Sequence, residues 1–246
     1  MRDRNRPLVI AGGLSLLAAV AYAQGMGLSM GVDGIPANTR KIAPSVSATC
    51  QGTAAGLSNV ITSAKDCTGV NFIAINYSSA NLAASVTDSN SNVYTIATCG
   101  TVVANQCIYY KYNPTVTSSM TFTATGVGIA ASIQVFGFRN VKGVALDKDV
   151  GNTQQSTSST TCQTPSLTPT NSNELILSGY FSNTDAGSST YTIDSGMTAL
   201  FSPFNSGVSF GGGLAYVVRS PTTAIQPTWT DSTAAAASAC NLIATQ

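Results

Sequence analysis

A chain of 246 residues with a net charge of +1 and 9% charged side chains lacks the clustered Lys and Arg that DNA and RNA binding requires. Its 43% hydrophobic content suffices for a folded body. Its polar surface must come from Ser, Thr, Asn and Gln, because an ordinary soluble domain carries roughly 25% charged residues. The chain contains no His, which removes the common base of a nucleophilic triad and a common ligand of zinc.

The N-terminus reads as a secretory signal helix over residues 1–23. Arg2, Arg4 and Arg6 open it, Leu8 to Val20 is apolar, and Ala21-Tyr22-Ala23 supplies the small-residue cleavage pattern. An apolar helix of that length rises about 20 Å, short of the ~30 Å hydrocarbon core. No later segment is long and apolar enough to span a bilayer, so no membrane span is expected after leader removal. Cleavage leaves 8 basic and 9 acidic side chains. Residues 24–41 are Gly-rich and without periodicity, which predicts a linker.

Residues 42–246 read as one β-sandwich domain. Strand-length runs recur at Asn71–Ser78, Val93–Cys99, Cys107–Tyr112, Met120–Thr125, Ser132–Phe138, Glu174–Phe181, Ser209–Arg219, Ile225–Thr230 and Ser238–Ala244. In the first run Phe72 and Ala74 fall on one face, with Ile73, Ile75 and Tyr77 on the other. In Cys107–Tyr112, Tyr110 and Tyr112 share a face with Ile108, while Tyr109 lies opposite. The Ala-rich stretch Ala234–Ala239 is a turn entering a final strand. Residues between Lys142 and Pro169 read as a low-complexity crossover loop, and no internal repeat is evident. The prediction is an all-β, disulfide-stabilised sandwich of two sheets with jelly-roll-like connections and about eight to ten strands.

All six cysteines, Cys50, Cys67, Cys99, Cys107, Cys162 and Cys240, follow the leader. An even count in an exported chain implies disulfides, and the absence of a C-x-x-C pair argues against a zinc site. Six cysteines allow 15 connectivities. Proximity favours Cys99–Cys107 across a short loop, then Cys50–Cys67, which leaves Cys162–Cys240 to close the longest loop. Oxidised sulfurs place the chain in the secreted, cell-surface or periplasmic space.

Candidate chemistry is sparse. Gly207-Val208-Ser209-Phe210-Gly211 matches the G-x-S-x-G elbow of hydrolases, but without His it reads as chance. Glu174, the only glutamate, is expected as an exposed strand-end charge, and Asp147 and Asp149 as solvated charges flanking Lys148. Asp88, Asn90 and Asn92 resemble the oxygen-rich start of a calcium loop, D-x-N-x-N, without its Gly or distal Glu; an Asn/Asp turn is the simpler reading. Calcium is therefore the one cofactor candidate. Tyr109, Tyr110, Tyr112 and Trp229 are the candidates for stacking on sugar rings, although aromatics in strands commonly serve the core. Asn76-Tyr77-Ser78 is an N-x-S sequon inside a predicted strand.

From the strand at Asn71–Ser78, through Val86-Thr87-Asp88-Ser89-Asn90-Ser91-Asn92-Val93-Tyr94, Ile108-Tyr109-Tyr110 and Phe122–Thr125, to Asn171-Ser172-Asn173-Glu174-Leu175-Ile176-Leu177 and the strand at Ile243, the chain resembles exported bacterial and phage-associated β-sandwich modules. The resemblance spans about residues 68–244, with Ser91 where similar sequences carry Gly. It implies a jelly-roll-like fold and transfers no activity. Three functions follow as expectations. The first is a non-catalytic binding or adhesion module, for instance for glycans, identified by an exposed aromatic platform. The second is a self-associating structural subunit of a surface filament or virion, identified by an unpaired sheet edge or apolar patch. The third is a carbohydrate-active enzyme, which needs Glu174 facing an aspartate across an open cleft.

Overall fold

Short alternating runs fold here into strands alone. The computed structural model describes residues 42–79, 85–99, 105–125, 130–155, 158–183, 190–205, 209–220 and 222–246. The signal helix and Gly-rich linker read from the sequence lie outside these. Ala43–Gln246 forms one compact unit. Its strands are β1 (Ser45–Leu57), β2 (Val60–Ile61), β3 (Phe72–Ser79), β4 (Ser85–Asp88), β5 (Thr95–Ile96), β6 (Asn105–Tyr112), β7 (Phe122–Thr125) and β8 (Ala130–Arg139). They continue with β9 (Lys148–Gln155), β10 (Ser159–Gln163), β11 (Glu174–Asn183), β12 (Tyr191–Ile193), β13 (Thr198–Asn205), β14 (Ser209–Arg219), β15 (Thr228–Ala235) and β16 (Ala237–Thr245). Helix is absent among the described residues.

All pairings between these strands are antiparallel, and they build four sheets. Two are five-stranded, ordered β1-β8-β3-β6-β5 and β9-β16-β11-β14-β13; two are three-stranded, ordered β2-β7-β4 and β10-β15-β12. Adding eight to each strand number of the first pair of sheets yields the second pair. The chain is thus two consecutive eight-stranded sandwiches of identical strand order, joined at residues 140–147. This corrects the expectation of one two-sheet sandwich with no internal repeat. The repeat is carried by alternation and pairing rather than by residue identity. Its clearest sequence trace is Tyr77-x-Ser79 on β3 and Tyr180-x-Ser182 on β11.

The two five-stranded sheets pack face to face, with β1 near β13, β8 near β14, β3 near β11, and β6 near β11 and β16. Each large sheet is therefore covered on both faces, and β3 and β16 are buried at every position. Phe72, Ala74, Ile108, Phe136, Phe138, Leu175, Leu177, Leu214 and Ile243 fill the seam between the halves. Ile73, Ile75, Tyr77, Tyr109, Phe122 and Val135 fill the first sandwich. Tyr180, Tyr191 and Trp229, with Leu167, Ile176 and Leu242, fill the second. The facial division read from β3 and β6 holds, but both faces are core. Each buried Leu, Ile or Phe contributes roughly 1.5–3 kcal/mol.

The cysteines form Cys50–Cys67, Cys99–Cys107 and Cys162–Cys240. The last crosses the second sandwich from its small sheet to its large one. The pairing agrees with the sequence reading, and three disulfides are consistent with an oxidising compartment. The predicted crossover loop instead contains β9 and β10. Both are sheet edges built largely of Thr, Gln, Asn and Ser, and such strands give no apolar alternation to detect.

Candidate functional site

The seam carries a polar centre between β3 and β11. Asn76 and Gly179 hold equivalent places, each preceding the tyrosine of the repeated Tyr-x-Ser. Gly179 leaves room for the amide of Asn76, and buried amides cluster there. Asn76 Nδ2 donates to Gln134 Oε1 at 2.8 Å, Ser78 Oγ at 3.0 Å and the Tyr180 carbonyl at 3.1 Å. Gln106 Nε2 donates to Asn76 Oδ1 at 2.6 Å and to Asn241 Oδ1 at 3.1 Å. Asn241 Oδ1 also accepts from the Gly179 N–H at 3.0 Å. A buried amide network of this kind fixes one register between apolar sheets, since sliding would leave several groups unpaired. The N-x-S sequon at Asn76 lies inside this network and is inaccessible for glycosylation.

The aromatic platform expected from sequence does not assemble. Trp229 is 0% exposed; its indole N–H donates to Ser178 Oγ at 2.8 Å, and its ring stacks on Tyr180 at 5.1 Å. Tyr109 is buried in the first sandwich, while Tyr110 and Tyr112 are half-buried in the seam. Tyr112 pairs its hydroxyl with Thr245 Oγ1, and burial pushes it up to about 12. These rings complete cores on both sides of β6, leaving their faces unavailable to a sugar.

Asp88 is committed to its own turn. Its Oδ1 accepts the Asn90 and Asn92 N–H groups at 2.9 and 3.1 Å. Its Oδ2 accepts Asn92 Nδ2 at 2.8 Å and the Tyr94 hydroxyl at 2.6 Å. Asn92 Oδ1 accepts the Thr115 N–H at 2.8 Å, and Asn90 Nδ2 donates to the Thr115 carbonyl at 3.0 Å. The Asp88 and Asn92 oxygens of the calcium candidate thus accept protein donors, the arrangement of an Asx-type turn. This turn walls a cleft of 570 Å³ lined by Ser85–Asp88 of β4 together with Val93, Ile96 and Tyr109. In the second half, β12 and β13 occupy the corresponding places, and Tyr191 meets Phe201 edge to face at 6.3 Å. There β13 has eight residues, whereas β5 has two, which leaves the first half open.

Glu174 is buried at 0% exposure, correcting the expectation of an exposed strand-end charge. Its Oε1 accepts the Asn171 N–H at 3.1 Å and Asn171 Nδ2 at 3.0 Å. Asp147 Oδ1 accepts the Thr170 hydroxyl at 2.6 Å. The remaining oxygens, Glu174 Oε2 and Asp147 Oδ2, are buried and accept from no protein N–H or O–H. Thr170 and Asn171, joined by the Asn171 Nδ2 to Thr170 Oγ1 bond at 3.0 Å, bring the two carboxyls to neighbouring places. Burial raises the Glu174 carboxyl above the usual range, and Asp147 raises it further, against the lowering effect of the Asn171 donors. Asp149 faces elsewhere, with Oδ2 accepting the Thr98 N–H at 2.7 Å and hydroxyl at 2.9 Å.

The remaining distinctive feature is an edge. Four strands border the five-stranded sheets, and three are blunted by means that discourage strand addition. β13 contains Pro203, β5 has two residues, and β9 carries Lys148, Asp149 and a bulge near Gly151 at φ 87°. β1 is long, and although its register against β8 slips between Val46 and Gln51, its pairing runs unbroken from Gln51 to Leu57. Its thirteen residues include no charge and no proline, and it pairs only with β8. Near its start, Thr49 Oγ1 donates to the Asp66 carbonyl and Cys50 bonds Cys67. From Gln51 to Leu57 its outer side receives no backbone hydrogen bond among the described residues. Leu57 and Ile61, on either side of the turn that leads into β2, are 53% and 58% exposed. Sequence reading missed this strand because Ser, Ala, Gly and Thr dominate it.

Ser209 of the G-x-S-x-G match opens β14, so strand follows it rather than the helix an elbow requires; Gly207 and Val208 lie outside the described residues. Comparison with protein-family models, curated proteins and solved structures finds no match.

Proposed function

We propose that the protein is a non-catalytic, exported structural subunit, built from two jelly rolls, that associates with further copies through the outer edge of β1. The strand order supports the jelly-roll reading. Within each half, first-eighth-third-sixth and second-seventh-fourth are the two sheets of a jelly roll, with the fifth strand moved to the border of the larger sheet. Jelly rolls serve capsids among other roles, which supports a filament or virion setting by fold analogy alone.

The observation that carries the reading is the uncharged, unpaired β1 edge. Two copies meeting antiparallel along Gln51–Leu57 form a self-complementary interface and continue the ladder. Leu57 and Ile61 add apolar area to that contact. Burial of the only glutamate, the lack of His and the covered aromatics all support a non-catalytic role.

Light scattering on the purified protein tests this. Thr53 and Leu57 are exposed, so Thr53→Lys/Leu57→Lys leaves the core intact while placing charge along the edge. The unaltered protein is expected to exceed monomer mass at micromolar concentration and the variant to be monomeric. A monomeric unaltered protein counts against the proposal.

The 570 Å³ cleft beside β4 favours a second reading, non-catalytic binding of an extended ligand such as a glycan or peptide strand. Val93→Lys, altering an exposed residue that lines the cleft, would abolish binding under this reading and leave self-association unchanged.

A further inference from the structure

Residues 140–147 join the two sandwiches, and their far end is fastened by few groups. The Lys142 and Gly143 N–H groups each donate to the Gln246 carbonyl at 2.6 Å, and the Asp147 N–H donates to the Ala244 carbonyl at 2.8 Å. The Asp147 side chain adds the bond from Thr170, beside Glu174 at the start of β11. Thr170 and Asn171 satisfy one oxygen of each carboxyl, and the two others are buried without a protein donor. Two neighbouring ionised carboxylates repel, and a buried one loses hydration as well. A proton on Glu174 removes this repulsion.

We propose that Glu174, protonated beside Asp147, acts as an acid latch, closed in acidic medium, that fastens the connector between the sandwiches to the second one and loosens when the Glu174 proton leaves. Among the described residues no cation pairs with either acid. Arg219, the cross-strand partner of Glu174 on β14, makes no ion pair with it; nor do Lys142 on the connector or Lys148 on β9 pair with either carboxyl. Asp149 is turned toward Thr98. Loss of the proton therefore leaves two adjacent negative charges with only Thr170 and Asn171 as donors. The relief available is movement of the connector, where Val144 is already 85% exposed. The latch is independent of the β1 edge, so failure of one proposal leaves the other standing.

Amide hydrogen exchange on the full chain between pH 5 and pH 8, corrected for intrinsic exchange rates, tests the latch. Protection of the amides of residues 142–149 is expected to fall roughly tenfold or more, each unit of proton affinity retained being a factor of ten, while β3 amides change little. Glu174→Gln replaces the Glu174 proton with a permanent amide donor beside Asp147, and its connector protection is expected to be constant across that range. Asp147→Asn supplies the same test from the other side should Glu174→Gln fail to fold. Equal protection at both pH values in the unaltered protein would overturn the proposal, as would a variant keeping the pH profile of the unaltered protein.

Discussion

Asn76 on β3 and Gly179 on β11 stand at equivalent positions of the two sandwiches and meet where the halves cross. A Cβ at Gly179 would lie 2.6 Å from Asn76 Oδ1 and 2.7 Å from Asn241 Oδ1, and closer still to Gln106 Nε2. One half supplies the amide and the other supplies the space for it, so the seam is asymmetric at its centre although the strand order is symmetric. A homodimer of identical sandwiches would place two asparagines or two glycines there.

Gly179→Ala therefore tests the seam. Forcing a methyl group among three packed amides is expected to cost about 1–3 kcal/mol through overpacking, and more if a buried hydrogen bond breaks. Urea unfolding measures it. A midpoint unchanged from that of the unaltered protein would show that the amide cluster yields freely.

Trp229 is the only tryptophan and reports on the second sandwich. Full burial against Tyr180 predicts blue-shifted emission shielded from iodide in the folded protein. Trp229→Phe is expected to cost about 1–2 kcal/mol for the lost bond to Ser178, and Trp229→Ala about 3–5 kcal/mol for the cavity. Emission like that of free tryptophan, or quenching by added sugars, would return the residue to a binding surface.

The division between what the sequence revealed and what it concealed has a physical basis. The faces of Phe72–Tyr77 and Ile108–Tyr112 are legible because a two-residue period is a local property. The disulfides are legible because the two short pairs are neighbours in the chain and the third follows by elimination. What covers each face is not local. Trp229 and Tyr109 read equally as platform or core until a second sheet lies over them. Glu174 reads as a strand-end charge because its partner, Asp147, lies in a segment whose fold depends on how the two halves join. The duplication is hidden for the same reason: β1, β9 and β10, three of the repeat's border strands, are built largely of Ser, Thr, Ala, Gly, Gln and Asn and carry little apolar signal.

Cys162–Cys240 closes the longest disulfide loop, with a sequence separation of 78. On the chain-entropy model its removal is expected to cost about 4.5 kcal/mol. Cys162→Ala/Cys240→Ala should unfold at markedly lower urea concentration, whereas Cys99→Ala/Cys107→Ala, with a separation of 8, should lose less. Equal losses would contradict the model.

Stability should also depend on pH through Glu174. Its folded carboxyl titrates above the ordinary value of 4.5, so between those two points the folded protein holds a proton that the unfolded chain has released. The contribution is present at acidic pH and is lost as pH rises through the folded titration. Glu174→Gln is expected to flatten that fall. Urea midpoints at pH 4.5, 6 and 8 measure it, and stability rising across that range in the unaltered protein but not in the variant would reverse the assignment.

The most direct test of assembly through β1 is amide exchange on the unaltered protein at two concentrations a hundredfold apart. The expected result is that amides within Gln51–Leu57 gain protection at the higher concentration, while those of β9 and β13, the blunted borders, do not. Identical exchange along β1 at both concentrations would contradict the account.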